Sequence, residues 1–367
     1  MQAWEDRPGV AGLIDKVPIR NLWLLMFYAS SLYRILPRTD RVHVEQAPDE
    51  IPDLVAEILC HEVSHLIRRG LACGFQIKSD DLHRLRGRIN VLRTENRLLL
   101  QRGRVACTFD DVTIDTPHNR YALMALVRIA PTVGTKLAHR CRSLAGQLVS
   151  IGVTPRMPPA HEVELTTVWR SNAGNALVLT AARLAFDLSL PTEDPGSQAM
   201  RMPSRDSHWA RYLFEKAVGG FLAVTLDPQD WHVHPGKKLH WQKTRQSAGI
   251  AAILPSMKTD IVLEYRKSDR IIIDTKFTSI LQPGHHTDWT LNSNYLYQMY
   301  AYLRSQERPD DPMSLNATGI LLHPVVGLDV IESVVIQDHE FRFVTVDLSA
   351  SPDQIREQLL AAVSSGG

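Results

Sequence analysis

No stretch of this chain fits the phosphate-binding loop G-x-x-x-x-G-K-[ST], so any nucleotide-driven motor must be supplied by another chain. Cysteine is scarce. Cys60, Cys73, Cys107 and Cys141 stand far apart with no C-x-x-C pair, which argues against a zinc ribbon, an iron–sulfur cluster or a disulfide framework and for a reducing compartment. Long apolar runs are missing too. The richest window, Leu22 to Leu36, is shorter than a membrane span, contains Arg34 and follows an acidic, proline-containing start, so the sequence predicts a cytoplasmic protein without a membrane partner. Excess charge is also absent. At a net charge of +1, contact with nucleic acid has to come from local clusters and not from an overall field.

What is present is ordinary for a globular protein: 367 residues, 44% apolar and 22% charged, enough for two domains that each bury a core. IRNLWLLMFYASSLYRIL after Pro18 reads as one buried helix, and DLVAEILCHEVSHLIRRGL as a second that ends at Gly70. Residues 75–115 alternate in short runs that predict small strands and turns, followed by a helix over 119–129. The proline-bearing segment VSIGVTPRMPPAHEVE marks a boundary, giving domains 1–160 and 161–367. Beyond it the pattern predicts a helix over 175–190, a polar loop over 191–206 and the amphipathic helix HWARYLFEKAVGGFLAV. Strands are expected near 230–246, 259–265, 271–277 and ATGILLHPVV, a helix over 292–305, two more short strands, and a last helix capped by Ser351, Pro352 and Gln354. The fold class is therefore α/β (α+β).

The chemistry concentrates in TDIVLEYRKSDRIIIDTKF. In a strand, residues two apart share a face, so Asp274 and Lys276 lie side by side at the end of a run of three isoleucines built for burial. If the RKSD turn folds 259–265 back beside 271–277, Asp260 arrives next to Asp274. A buried charge costs several kcal/mol unless something compensates it. Mg²⁺ would do so through the two carboxylates and a main-chain carbonyl, here that of Thr275, while polarising a phosphate oxygen and acidifying a water; the lysine would orient that water and offset charge on the phosphate. The plain alternative is a structural ion pair at a strand end.

The order of helix with Glu, strand with Asp, D-x-K, then helix with Gln and Tyr resembles the PD-(D/E)XK nuclease superfamily, whose core is a mixed sheet flanked by helices. The resemblance assigns Asp260, Asp274 and Lys276 as catalytic, adds Glu215 to the metal ligands, and matches Gln298 and Tyr302, on one helical face, to a Q-x-x-x-Y element. Thr259 stands where proline is usual and Phe277 where tyrosine is frequent. The phrases VPIRNLWLLMFYAS, RRGL, LRGRINV, CTFDDVTIDTPHNR, ILPSMKTDIVL, IIIDTKF, NYLYQMYAYL and GILLHP, in that order, narrow the likeness to the McrC family, over nearly the whole chain. That resemblance implies the nuclease subunit of a 5-methylcytosine-specific restriction system used in phage defence. Its partners would be an McrB-like AAA+ GTPase hexamer, whose GTP hydrolysis it stimulates through an N-terminal docking domain, and double-stranded DNA carrying modified cytosine; its cofactor would be Mg²⁺, with Mn²⁺ as a substitute.

Two basic clusters accompany the site. Lys237, Lys238, Lys243 and Arg245, interleaved with Trp231 and Trp241, suit phosphate contacts beside the scissile bond. Arg86, Arg88, Arg93 and Arg97 belong to an arginine-rich run suited to an acidic partner surface. Both are equally readable as solvated faces. Two rival functions remain: a non-catalytic assembly factor whose carboxylates only hold structure, and a zinc protease through HEVSH, residues 61–65, although no G-x-x-H continuation follows His65.

Overall fold

The computed structural model describes residues 17–165, 173–189, 207–284 and 288–364, so the polar loop expected over 191–206 lies outside the described residues. The elements that frame the site, numbered in chain order, begin with α1 (Ile19–Ala29), α2 (Ser31–Ile35) and α3 (Ile51–Arg69). A smaller sheet follows from β1 (Gly74–Leu82), β2 (Arg88–Ile89) and β3 (Val105–Thr113), with α4 (Pro117–Ile129) and α5 (Thr135–Ile151) after it. Then come α6 (Ser207–Thr225), β4 (Trp231–Pro235), β5 (Ile261–Tyr265), β6 (Asp269–Thr275) and α7 (Ser293–Arg304). Last are β7 (Thr318–Pro324), β8 (Ile331–Ile336), β9 (His339–Val346) and α8 (Pro352–Val363).

The single helix expected over 19–36 is in fact two. Ser30 adopts an extended backbone (φ −80°, ψ 155°) and its hydroxyl accepts from Tyr33 N, so the residue that stops α1 also caps α2. The strand expected over 230–246 is likewise shorter: β4 ends at Pro235, and Lys238–Leu239 pairs separately with Met257–Lys258. The capping box of α8 forms as expected.

The chain divides into two compact units, Met1–Ile51 with Pro191–Gly367, and Pro52–Leu190. This differs from the boundary expected near residue 160. The cause is long-range: Asn21 Nδ2 donates to the carbonyls of Leu348 and Ala350, and the Tyr28 ring packs on Phe221, so α1 belongs with the C-terminal elements.

In the first unit six strands form one mixed sheet, ordered β8-β9-β7-β6-β5-β4. β5 runs antiparallel to both β4 and β6, β7 runs parallel to both β6 and β9, and β8 closes the edge antiparallel to β9. Ile271, Ile272 and Ile273 are all buried because both faces of β6 are covered. Met299, Tyr302 and Leu303 of α7 pack with Val262, Ile272 and Leu321 on one face. On the other, Gly219 of α6 faces Ile261, whose Cγ1 would lie 3.5 Å from an added Cβ, an ordinary contact.

In the second unit β1, β3 and β2 form an antiparallel sheet, and Thr116 caps α4. Asp115 ties this unit together. Its carboxylate accepts from Arg120 Nε at 2.7 Å and Nη2 at 2.5 Å, and from Thr154 N at 2.8 Å and Oγ1 at 2.7 Å. The Arg120 guanidinium, helped by Thr154 and opposed by burial, holds the carboxyl well below the usual carboxylate range. A depressed folded value stabilises fully at neutral pH and loses that contribution as pH falls through it. Asp115→Asn is therefore expected to cost about 2 kcal/mol at neutral pH, with the deficit shrinking in urea melts at progressively lower pH. A deficit constant across pH would show that shape and not charge is responsible.

Candidate active site

The sequence makes the site by ending an apolar strand on polar residues. β5 and β6 pair with Ile261 opposite Ile273 and Tyr265 opposite Asp269, and continuing that register by one step sets Asp260 opposite Asp274. The loop between them turns through Arg266 (φ 43°) and Lys267 (φ 59°), and Arg266 is fixed by two bonds to Asp230, at 2.7 and 3.0 Å. The hairpin expected from RKSD is therefore present, and it brings the two acids together.

Lys276 Nζ lies 2.5 Å from Asp274 Oδ2, the same-face pairing that the D-x-K spacing predicts. The same ammonium sits 5.3 Å from the centre of the Tyr295 ring on α7. Asp260 Oδ2 accepts from Thr275 N at 2.7 Å and from Thr275 Oγ1 at 2.8 Å, which locks the carboxylate onto the end of the neighbouring strand. Asp274 is buried to 2% exposure, and apart from the Lys276 ammonium no donor among the described residues reaches its Oδ2. Burial pushes the Asp274 carboxyl up to about 6; Lys276 opposes that rise, and the charges of Asp260 and Glu215 add to it. The Asp260 carboxyl is raised as well, first by burial, against the two Thr275 bonds, with Glu215 adding to the rise.

Glu215 on α6 is thus close enough for its charge to act on both acids, but its Oε1 is bonded to Lys216 Nζ at 2.9 Å. Among the described residues no three His, Cys, Asp or Glu side chains close into a ready-made metal cluster. The donor set still fits a hard divalent cation: buried carboxylate oxygen short of donors, a second carboxylate opposite, and mutual repulsion that a positive ion relieves. Mg²⁺ typically takes one or two carboxylates and completes its shell with water and phosphate.

The supporting residues divide. Gln298 Nε2 donates to Tyr302 Oη at 2.6 Å, and Tyr302 Oη donates to the Lys258 carbonyl at 2.9 Å, two residues before Asp260, so this pair braces the approach to the site from within. Lys237 is engaged with Glu264 Oε1 at 3.0 Å, leaving Lys238, Lys243 and Arg245 as the exposed cations of that segment. In the other unit Arg86 and Arg93 pair with Asp111 and Asp81, each at 2.9 Å, and Arg97 reaches Asp81 at 3.9 Å, while Arg88 is exposed on β2. Sequence reasoning missed another feature of this unit: Phe75 and Ile77, two apart on β1, are each 78% exposed. The alternation in GFQIKSDDL carried that signal. The His61 and His65 rings of HEVSH lie 4.6 Å apart, tilted at 50°, His61 Nδ1 turns to the adjacent Glu62 at 3.1 Å, and no third ligand joins them among the described residues.

Fold and site together define a mixed α/β protein whose central strands end in two acids and a lysine, with Asp274 buried and Asp260 and Lys276 half-buried. The chain belongs to the family of McrBC 5-methylcytosine restriction system components, whose model matches residues 15–195 and 208–315. It is 24% identical over 348 residues to the type IV methyl-directed restriction enzyme EcoKMcrBC of Escherichia coli (strain K12), covering 94% of this chain and 96% of that protein. A solved half-complex from a tetradecameric assembly of Thermococcus gammatolerans McrB AAA+ hexamers with bound McrC is similar at 16% identity and a TM-score of 0.39, over 93% of this chain and 76% of that one. A cryo-EM structure of the Thermococcus gammatolerans McrBC complex is similar at 17% identity and a TM-score of 0.31, over 49% and 53% of the two chains. Among the described residues no helix is long and apolar enough to cross a membrane.

Proposed function

We propose that this restriction-system component is the endonuclease subunit, a PD-(D/E)XK-type enzyme that hydrolyses DNA phosphodiester bonds within a complex driven by an AAA+ GTPase partner. The observation that supports this most is the convergence of Asp260, Asp274 and Lys276 at the ends of paired central strands, with a buried Asp274 oxygen short of donors. Asp260 and Asp274, with the Thr275 carbonyl, would hold Mg²⁺ or Mn²⁺ in its place, and Glu215 is near enough to join them through water. Bound there, the cation supplies positive charge to the scissile phosphate and acidifies water. Lys276 offsets negative charge that develops on the phosphate and orients the attacking water. Thr275 keeps Asp260 pointed at its neighbour, and the Gln298–Tyr302–Lys258 chain of hydrogen bonds keeps the strand entry from shifting. Lys238, Lys243 and Arg245 are free to contact the DNA backbone.

The other unit is the proposed docking element for the motor. Arg88 on its small sheet and Arg86, Arg93 and Arg97 in the segments around it supply basic groups, and Phe75 and Ile77 on β1 supply exposed apolar ones, both suited to a protein partner. The partner, a ring-forming GTPase, would read the modified cytosine and translocate the DNA.

Cleavage of methylated and unmethylated plasmid, with and without that GTPase and GTP, tests the proposal. Cutting is expected only of methylated DNA, only with partner, GTP and Mg²⁺ together. The open coordination around Asp274, with Glu215 turned to Lys216, favours one rival, an assembly factor whose carboxylates bind no metal. Stimulated GTP hydrolysis without any cutting, and no Mn²⁺ heat that depends on Asp260 and Asp274 in calorimetry, would establish that rival instead.

A further inference from the structure

A histidine that the reading of the sequence did not single out stands next to the catalytic lysine. β7 runs parallel to β6 with Leu321 beside Asp274 and Leu322 beside Thr275, and Lys276 N donates to the Leu322 carbonyl at 3.0 Å. One step further along the same register, His323 lies beside Lys276. Neighbours across a parallel pair share a face, so His323 projects on the side of Asp274 and Lys276. The Tyr295 ring confirms this: it lies 5.3 Å from Lys276 Nζ and 5.7 Å from the His323 ring.

His323 is fully buried. Its Nδ1 is 2.9 Å from the Thr278 carbonyl, an acceptor, so the ring hydrogen sits on Nδ1. Burial, with the Lys276 charge adding to it, pushes the imidazole down to about 4, which leaves the ring neutral. Nε2 is therefore a bare lone pair, and no group among the described residues donates to it. A buried acceptor left in that state is destabilising. The fold tolerates this nitrogen at the one place where a donor has reason to move.

That donor is Lys276. In the structure its ammonium leans on Asp274 Oδ2. A divalent cation seated on the same carboxylate repels it, and the ammonium then needs a seat that keeps it near the phosphate. The Tyr295 ring is 5.3 Å from the ammonium, and the His323 ring is 5.7 Å from that same ring. We propose that His323 is a positioning residue for Lys276, its unprotonated Nε2 accepting the ammonium when a divalent cation takes the Asp274 carboxylate. This rests on the nuclease reading above. It adds to that reading a reason for the lysine to hold two positions, one with the acid and one with the histidine.

Mn²⁺ calorimetry on the full-length protein, arranged as a double-mutant cycle, separates this role from simple packing. His323→Leu removes the acceptor and is expected to weaken Mn²⁺ binding about tenfold, because the displaced ammonium is left without a partner. His323→Gln returns an acceptor oxygen near the Nε2 position and is expected to restore binding to within about threefold. In a Lys276→Met background there is no ammonium to place, so His323→Leu should change nothing. An equal loss in both backgrounds, no loss in either, or a glutamine variant as weak as the leucine one overturns the proposal. Wild-type protein that shows no Mn²⁺ heat abolished by Asp274→Ala removes the nuclease reading itself, and the role of His323 falls with it.

Discussion

Asp274→Asn is expected to reduce DNA cleavage by about three orders of magnitude or more while leaving the protein folded and still able to stimulate its partner's GTP hydrolysis. The size follows from what the carboxylate is proposed to hold: a metal site contributes both charge on the phosphate and an acidified water, and loss of either is worth about 10²–10³-fold. Stability should respond in the opposite direction. Burial raises the Asp274 carboxyl from 3.8 to about 6, so between those values the folded protein holds a proton that the unfolded chain has released. Metal-free wild type accordingly loses stability as pH rises through that window, by about 2–3 kcal/mol. Asparagine cannot titrate, and its variant should show no such slope. Melting temperatures of metal-free protein across pH 4 to 7 give the first comparison, and addition of Mg²⁺ at pH 7 the second, since it should raise the wild type and not the variant. Parallel pH profiles for the two proteins would mean that Asp274 titrates as an ordinary surface acid and not as a buried one.

The proposed site would be a case of function placed where the fold would prefer something else. A run of three isoleucines that stops on Asp-Thr-Lys breaks the rule for a central strand, and that break is what made Asp274 and Lys276 legible in the sequence. The hairpin was legible for a related reason: four polar residues between two apolar runs can only turn, and once they turn, Asp260 must approach Asp274. The capping box of α8 is local chemistry, complete within four residues, and was readable as such.

What escaped the sequence depends on contacts far along the chain. Nothing around Asn21 announces that its amide will bond the carbonyls of Leu348 and Ala350, so α1 could not be assigned to the unit that carries the site. Lys237 reads as a free cation until Glu264, on a neighbouring strand, is found at 3.0 Å. Glu215 sits at the right place in the order of elements, yet which way its side chain turns is decided by the adjacent Lys216. His323 lies in an apolar strand whose periodicity says only that it is buried. That its Nε2 faces no donor, and that Lys276 is the neighbour, emerge only when β6 and β7 are laid side by side.

The largest effect on stability is expected from Gly220→Ala, and its neighbour provides the control. α6 crosses α1 so tightly at Gly220 that a Cβ would stand 2.0 Å from the Tyr28 carbonyl oxygen and 3.0 Å from its carbon. The obstacle is backbone, which cannot rotate aside as a side chain would, so the two helices must separate or tilt. Overpacking of that kind costs about 3–5 kcal/mol. At Gly219, one residue earlier, the nearest atom to an added Cβ is Ile261 Cγ1 at 3.5 Å, an ordinary contact. There Ala should stabilise α6 by about 0.5–1 kcal/mol, because glycine in a helix loses more backbone entropy on folding. The two substitutions add the same methyl group to the same helix, and urea melts should nonetheless move them in opposite directions, separating them by about 4 kcal/mol. Because Glu215 rides on α6 little more than one turn away, the tilt that relieves Gly220→Ala should also weaken Mn²⁺ binding, whereas Gly219→Ala should leave it alone. Equal melts for the two variants would show that α1 and α6 cross more loosely than the 2.0 Å approach at Gly220 requires.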